Sequence, residues 1–171
     1  MIYSNNGDVF CEVSVSHKTG STEILKIALA IVLGLAATVF VFLIMPQLFF
    51  LLFVVWAALI FWIRLQNIAY EYSFTSGDLD IDKLISDYKR KHLMTVSFDQ
   101  IEIIAPENSF ELNAYQYGQY RTYHYDANDP MLKNYVIVAN IDNAHARIIF
   151  TPNDKMLGQM RQFAPRKVVT A

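Results

Sequence analysis

The hydropathy pattern is dominated by residues 27–63, a run of 37 residues that contains no charged side chain. A membrane-spanning helix needs about 20 apolar residues, so this run is too long for one span. Pro46 favours a break near the middle, because proline lacks an N–H and restricts the residue before it. Backbone polar groups inside lipid must be satisfied within their own segment, which favours helices. The pattern therefore predicts a transmembrane hairpin of two helices over residues 23–66.

Two other interpretations of this run fit less well. Buried segments of soluble proteins usually have about 10–14 apolar residues, and both halves of the run are longer. A cleaved signal peptide has an apolar core of about 7–15 residues and a basic flank. Here the run follows 26 residues that include three acidic side chains. The membrane hairpin remains the better prediction.

A shorter pattern precedes the run. Residues 9–16 largely alternate between apolar and polar side chains, which is the period of a half-buried strand. A strand this short must pair with another, because an unpaired edge is a liability. The sheet available to it lies after the hairpin, and we expect residues 9–16 to complete that sheet.

The composition changes after Arg64, where short apolar or alternating segments are separated by turn residues. The pattern predicts about seven short strands. Among them are two aromatic strands, 110–115 and 120–125, on either side of Gly118. Residues 87–92 are expected to form a charged connector.

The final segment has a helical period. Residues 151–154 contain a capping candidate, an early proline and an acidic side chain, which is typical of a helix start. The apolar side chains that follow fall on one helical face: Met156, Leu157, Met160 and Phe163. The predicted fold is a membrane α-helical hairpin plus an α+β domain, in which a bent antiparallel sheet of about seven strands is capped by the C-terminal helix.

Two sequence stretches carry a resemblance to a known family. They are YEYSFTSGDLDIDKLISDYKRKHLMTVSFDQIEIIAP after the hairpin and TPNDKMLGQMRQFAPRKV near the end. Together with the hairpin they resemble DUF6106, a bacterial domain-of-unknown-function family of small two-span membrane proteins. The chain is more distantly similar to bacterial membrane proteins with a pleckstrin-homology-like (PH-like) barrel after a helix pair. The resemblance implies a seven-stranded bent sheet capped by the C-terminal helix, and it implies no activity.

The distribution of basic residues predicts an orientation. Lys18 and Lys26 precede the hairpin and Arg64 follows it, whereas the connector around Pro46 carries no charge. The positive-inside rule then puts both termini in the cytoplasm of a multi-pass protein of the cell membrane. The predicted parts are a cytoplasmic N-terminal segment with a short strand (1–22), the hairpin (23–66) and a cytoplasmic PH-like domain (67–171).

Overall charge and cysteine content exclude some functions. The formal net charge is −2, and residues 64–171 carry 12 basic and 13 acidic side chains. Nucleic-acid binders usually have a strongly basic face, so no nucleic-acid partner is expected. Cys11 is the only cysteine, which rules out an internal disulfide and a cysteine-rich metal site.

The densest positive charge is Lys89-Arg90-Lys91, a candidate contact with an anionic lipid surface. Close to an anionic leaflet each Lys or Arg contributes about 1 kcal/mol. A solvated connector balanced by Asp82 and Asp87 is the plainer interpretation, and the sequence favours it.

The densest aromatic segment is a candidate protein interface. Aromatic side chains interleaved with arginine are typical of such interfaces, although tyrosine is also a favoured strand residue. The two interpretations carry equal weight. The candidate residues are Tyr115, Tyr117, Tyr120, Arg121 and Tyr123.

No pattern indicates catalysis. Asp78, Asp80 and Asp82 superficially resemble a calcium loop, but the glycine and the twelfth-position glutamate of that loop are missing. They are more simply one solvated strand face. The four histidines lie in separate segments, and no phosphate loop, nucleophile elbow or dinucleotide fingerprint occurs. We expect no metal, no cofactor and no enzymatic activity.

The expected function is therefore that of a binding or scaffolding protein. Its partners would be the lipid bilayer and a membrane or cytoplasmic protein. The alternative is an accessory subunit of a larger membrane complex, such as a transporter, with the hairpin as the active interface.

Overall fold

A computed structural model describes residues 10–44, 46–86, 89–116, 118–142 and 144–170. These residues form eight strands, three α-helices and two short 3₁₀ segments. The strands are β1 (Phe10–His17), β2 (Ile68–Thr75), β3 (Asp78–Ile85), β4 (Lys89–Ser97), β5 (Ile101–Pro106), β6 (Arg121–His124), β7 (Tyr135–Ile141) and β8 (Ala144–Phe150). The helices are α1 (Ser21–Ile44), α2 (Phe50–Leu65) and α3 (Asp154–Phe163), and the 3₁₀ segments are Pro46–Leu48 and Phe110–Tyr115.

The first sheet is an antiparallel meander in the order β1-β2-β3-β4. Strand β1 pairs with β2 along its whole length, although α1 and α2 lie between them in the chain. The expected pairing of the N-terminal strand with the later sheet is thereby confirmed for the described residues 10–16. The alternation of side chains explains this pairing, because Cys11 and Val13 are buried while Glu12 and Ser14 face outward.

The second sheet has the order β5-β7-β8-β6 and corrects two sequence predictions. The two sheets together have eight strands among the described residues, where about seven were expected. They are not wholly antiparallel, since β6 runs parallel to its neighbour β8. A parallel neighbour needs a crossover rather than a tight turn. Residues 125–142 provide it, because they carry the chain through β7 before it returns as β8.

The predicted strand at 110–115 is wrong, because this segment is the 3₁₀ helix Phe110–Tyr115. Ser109 caps it, and its side chain accepts a hydrogen bond from the Glu111 N–H. Leu112 and Tyr115 are three residues apart, the repeat of a 3₁₀ helix, and both pack on the small cluster formed with Val136 and Val138. The strand was predicted because Phe110 and Tyr115 are aromatic, and aromatic residues are frequent in strands.

The predicted connector at 87–92 is also wrong for residues 89–92, which belong to β4. Lys89 pairs with Ile85 and Lys91 with Lys83 across the β3–β4 ladder. The sequence did not indicate a strand here, because every side chain from Lys89 to His92 is exposed and apolar and polar residues do not alternate.

The main core lies between the two sheets and under α3. Its largest fully buried side chains include Tyr72, Phe74 and Phe150. Met156 and Met160 of α3 are fully buried in the same cluster, and Phe163 contacts the rings of Phe74 and Phe98. The α3 prediction is confirmed, including its start, where the Asn153 side chain accepts a hydrogen bond from the Met156 N–H at 2.8 Å.

Helices α1 and α2 contact each other and expose most of their apolar side chains. The indole N–H of Trp56 donates to the Thr38 hydroxyl at 3.2 Å, and that hydroxyl donates to the Gly34 carbonyl at 2.8 Å. Gly34 is buried where the helices meet. Within the described part of the chain, α1 is the helix long and apolar enough to cross a membrane, and α2 is a shorter apolar helix.

Candidate functional site

Helices α1 and α2 are both connected to the same end of the first sheet. Strand β1 ends at His17 and is followed by α1, and α2 is followed by β2, which begins at Ile68. His17 pairs with Ile68, Ile68 with Ile85, and Ile85 with Lys89. We call these four residues the helix-proximal end of the domain. Lys89 therefore lies in the same row of residues as the two helix connections.

The three basic residues Lys89, Arg90 and Lys91 are not equivalent in the structure. Arg90 is engaged on the outer face of the first sheet, where it forms an ion pair with Glu71 and lies 3.4 Å from Glu12. Its Nε is 3.7 Å from Asp82. Lys89 and Lys91 are exposed. Lys89 and Lys91 can therefore contact a lipid surface, whereas Arg90 is paired with acidic side chains of the sheet.

The environment of Arg90 also affects a neighbouring carboxyl. Burial raises the pKa of Glu71, and the nearby Glu12 raises it further, while Arg90 opposes both effects. Only 11% of the Glu71 side chain is exposed. Arg90 therefore acts as the counter-ion that lets acidic side chains from three strands share one face.

A ladder of polar side chains continues along this face. His92 Nδ1 is 2.8 Å from Asp82, and His92 Nε2 is 3.3 Å from the Thr95 hydroxyl. That hydroxyl donates to Asp80 at 2.5 Å. These contacts join Asp80 and Asp82 of β3 to His92 and Thr95 of β4 on the outer face of the first sheet.

The aspartates of β3 lie where the sequence predicted. Asp80 and Asp82 are on the outer face, and Leu79 and Ile81 are fully buried on the other. Among the residues that the structure describes, no group of three or more His, Cys, Asp or Glu side chains is arranged to hold a metal ion.

The aromatic candidates are divided between two sides of the second sheet. Tyr115 and Tyr120 pack against the small cluster on its outer face. Tyr123 packs against the main core and stacks on Tyr125 at a centroid distance of 5.9 Å. Arg121 is exposed on β6, which is an edge strand. Tyr117 lies outside the described residues, and a partner contact at these positions stays a prediction.

The loop at residues 125–134 was not identified from the sequence as a candidate site. It follows β6 and contacts the segment that joins β1 to α1. Together with residues 106–108 it borders a polar cavity of about 570 Å³. Met131 and Leu132 are exposed in it, by 86% and 46%. Two adjacent apolar residues directly after the Asn128-Asp129-Pro130 turn were the available signal.

These features define a class of protein: a domain of two packed four-stranded sheets with a C-terminal helix, with at least one membrane-length apolar helix attached between its first two strands. The sequence matches the bacterial PH-like domain family DUF6106 over residues 7–170. The chain belongs to this family, and the match includes β1 and both apolar helices. Comparisons with curated proteins and with solved structures gave no match.

Proposed function

We propose that this is an integral membrane protein in which α1 and α2 form a two-span hairpin. In this proposal the PH-like domain lies on the cytoplasmic side and serves as a binding or scaffolding module without catalysis. The hairpin would be inserted into the connection between β1 and β2, so that both ends of the insertion enter the same sheet.

The observation that carries the proposal is the surface of the two helices. Exposed side chains along α1 and α2 are almost entirely apolar, which is favourable in lipid and costly in water. The polar groups between the helices satisfy one another through Trp56, Thr38 and Gly34. Such internal satisfaction is what hydrocarbon requires.

The length of α2 is compatible with a second span. Its 16 residues correspond to about 24 Å of helix, against about 30 Å for the hydrocarbon core. The 3₁₀ segment before it and the long side chain of Arg64 in its last turn can cover the difference. The basic flanks Lys18, Lys26 and Arg64 support a cytoplasmic location for both ends.

Two surfaces of the domain support a binding role. Lys89 and Lys91 are the candidates for contact with anionic lipid, since Arg90 is paired within the sheet. The edge strand β6 is the candidate protein contact, with the exposed Arg121, the half-buried Tyr123 and the half-buried Tyr120 just before the strand. A strand at the end of its sheet that carries aromatic and basic side chains suits the addition of a partner segment.

The test of membrane integration is extraction of the full-length chain from cell membranes. The protein should stay in the membrane after an alkaline wash and be released by detergent. A variant with Leu35→Arg and Val39→Arg should lose this retention, because each charge at the centre of a span costs about 3 kcal/mol. Asp99→Arg, on an exposed turn of the domain, is the matched control and should stay membrane-bound. Release of the unaltered chain by the alkaline wash would refute the proposal.

A further inference from the structure

The loop at residues 125–134 is attached directly to the segment that leads into α1. The Lys18 N–H donates to the Ala127 carbonyl at 2.7 Å, and the Asn128 side chain donates to the Lys18 carbonyl at 2.9 Å. The Lys18 ammonium is 2.7 Å from the Asp129 carboxylate. Helix α1 begins at Ser21, three residues after Lys18. Three residues span at most about 10 Å, so the loop is held close to the point where α1 begins.

Asp129 fixes the conformation of the loop tip. One of its carboxylate oxygens contacts Lys18, and the other accepts a hydrogen bond from the Met131 N–H at 3.0 Å. Its carbonyl accepts a hydrogen bond from the Leu132 N–H at 3.0 Å. The hydrogen bond to Lys18 is the largest effect that lowers the pKa of Asp129, and the Met131 N–H adds to it. The tip is therefore a structured turn.

This turn presents its apolar side chains outward. Met131 is the most exposed large hydrophobic residue among the described part of the chain, at 86%, and Leu132 is 46% exposed beside it. Lys133 follows directly and is exposed. Two adjacent exposed apolar side chains next to basic groups are the composition of segments that enter the interfacial region of a membrane.

We propose that Met131 and Leu132 insert into the interfacial region of the leaflet from which α1 emerges. This inference rests on the proposed membrane hairpin. It commits to lipid as the occupant because the loop is bonded to the residues that precede the membrane helix. Lys18 and Lys133 would lie at the level of anionic headgroups. The loop then fixes the orientation of the PH-like domain on the surface, at a point separate from Lys89.

The test uses the full-length chain in vesicles of mixed neutral and anionic phospholipid, with Cys11→Ala as background. A polarity-sensitive fluorophore is attached at Met131→Cys and, separately, at Leu132→Cys. Asp99→Cys is the distal control. The N–H of the adjacent Phe98 donates to the Gly77 carbonyl in the turn between β2 and β3, and this turn is at the opposite end of β2 from Ile68. Val54→Cys, exposed on α2, reports membrane insertion. Nitroxide lipids quench either near the headgroups or near the acyl-chain ends.

The expected result is a blue-shifted emission at positions 131 and 132, relative to Asp99→Cys, with quenching by the headgroup-level nitroxide. Val54→Cys should be quenched by the deep nitroxide. Emission at 131 and 132 equal to that at Asp99→Cys, with Val54→Cys still quenched, would overturn the loop insertion and leave the hairpin intact. A blue shift without nitroxide quenching would indicate contact with protein, such as a second copy, and would overturn it as well.

Two further outcomes separate the loop from the hairpin. Failure of both nitroxides to quench Val54→Cys would refute the proposed hairpin itself. Addition of Asp129→Asn to Met131→Cys should reduce headgroup-level quenching, since the contact with Lys18 is weakened. Unchanged quenching in that variant would show that Asp129 does not position the loop.

Discussion

Arg90 illustrates at the scale of single residues how charge is used in this domain. It lies among Glu12, Glu71 and Asp82 from three different strands, and it counters their mutual repulsion. More than half of the Arg90 side chain is exposed, so solvent screens its ion pairs. The contribution of Arg90 to the free energy of unfolding is therefore modest, and it depends on the ionisation of Glu71.

Replacement of Arg90 tests this account. Arg90→Gln should lower the free energy of unfolding by about 1 kcal/mol at neutral pH. Lys91→Gln, on an exposed neighbour, is the control and should change it by less than about 0.5 kcal/mol. Denaturation of the detergent-solubilised chain, followed by tyrosine fluorescence, measures both.

The effect of Arg90→Gln should depend on pH. The folded-state pKa of Glu71 is raised, so the stability that this group contributes is present below its unfolded pKa of about 4.3 and is lost as the pH rises through the folded value. Loss of Arg90 raises the folded pKa further. The difference between the variant and the unaltered chain should therefore grow from pH 4 towards pH 7. An equal difference at both ends would contradict the role given to Arg90.

At the scale of elements, β1 decides whether the first sheet is complete. It covers the edge of β2, and its inward side chains Cys11 and Val13 join the main core. Val13→Ala should lower the free energy of unfolding by about 2 kcal/mol through lost burial and an incompletely filled space. Hydrogen exchange of β2 amides in the full-length chain should accelerate accordingly. Ser14→Ala, on the outward face of the same strand, is the control, and equal effects of both substitutions would contradict the packing of β1.

Elements with a clean period could be predicted from the sequence. The alternation in β1 and the helical spacing from Met156 to Phe163 both correspond to what the structure contains. The capping position of Asn153 could also be identified from local chemistry alone.

Elements whose side chains meet distant partners could not be predicted in this way. Residues 89–92 contain no apolar side chain, and their strand is fixed by backbone pairing with β3. The direction of β6 depends on the path of the chain through β7 and β8. The candidate site could be predicted only in part for the same reason. The apolar pair Met131 and Leu132 after a turn can be read from the sequence, but the ion pair that holds their loop joins Asp129 to Lys18, which are more than a hundred positions apart.

At the scale of the whole molecule, the order of elements couples the domain to the helices. The apolar pair α1 and α2 separates two strands that are neighbours in one sheet. Both helix connections therefore leave the domain at its helix-proximal end, between β1 and β2. If the pair spans a membrane twice, the domain and the segment containing β1 must lie on the same side of it.

Thiol accessibility in intact cells tests this central claim most directly. In the Cys11→Ala background, Gln47→Cys lies in the 3₁₀ segment between the helices and Asp99→Cys in an exposed turn of the domain. An impermeant thiol reagent should label Gln47→Cys in intact cells and should label Asp99→Cys only after permeabilisation. Labelling of Asp99→Cys without permeabilisation, or failure to label Gln47→Cys, would contradict the two-span cytoplasmic arrangement.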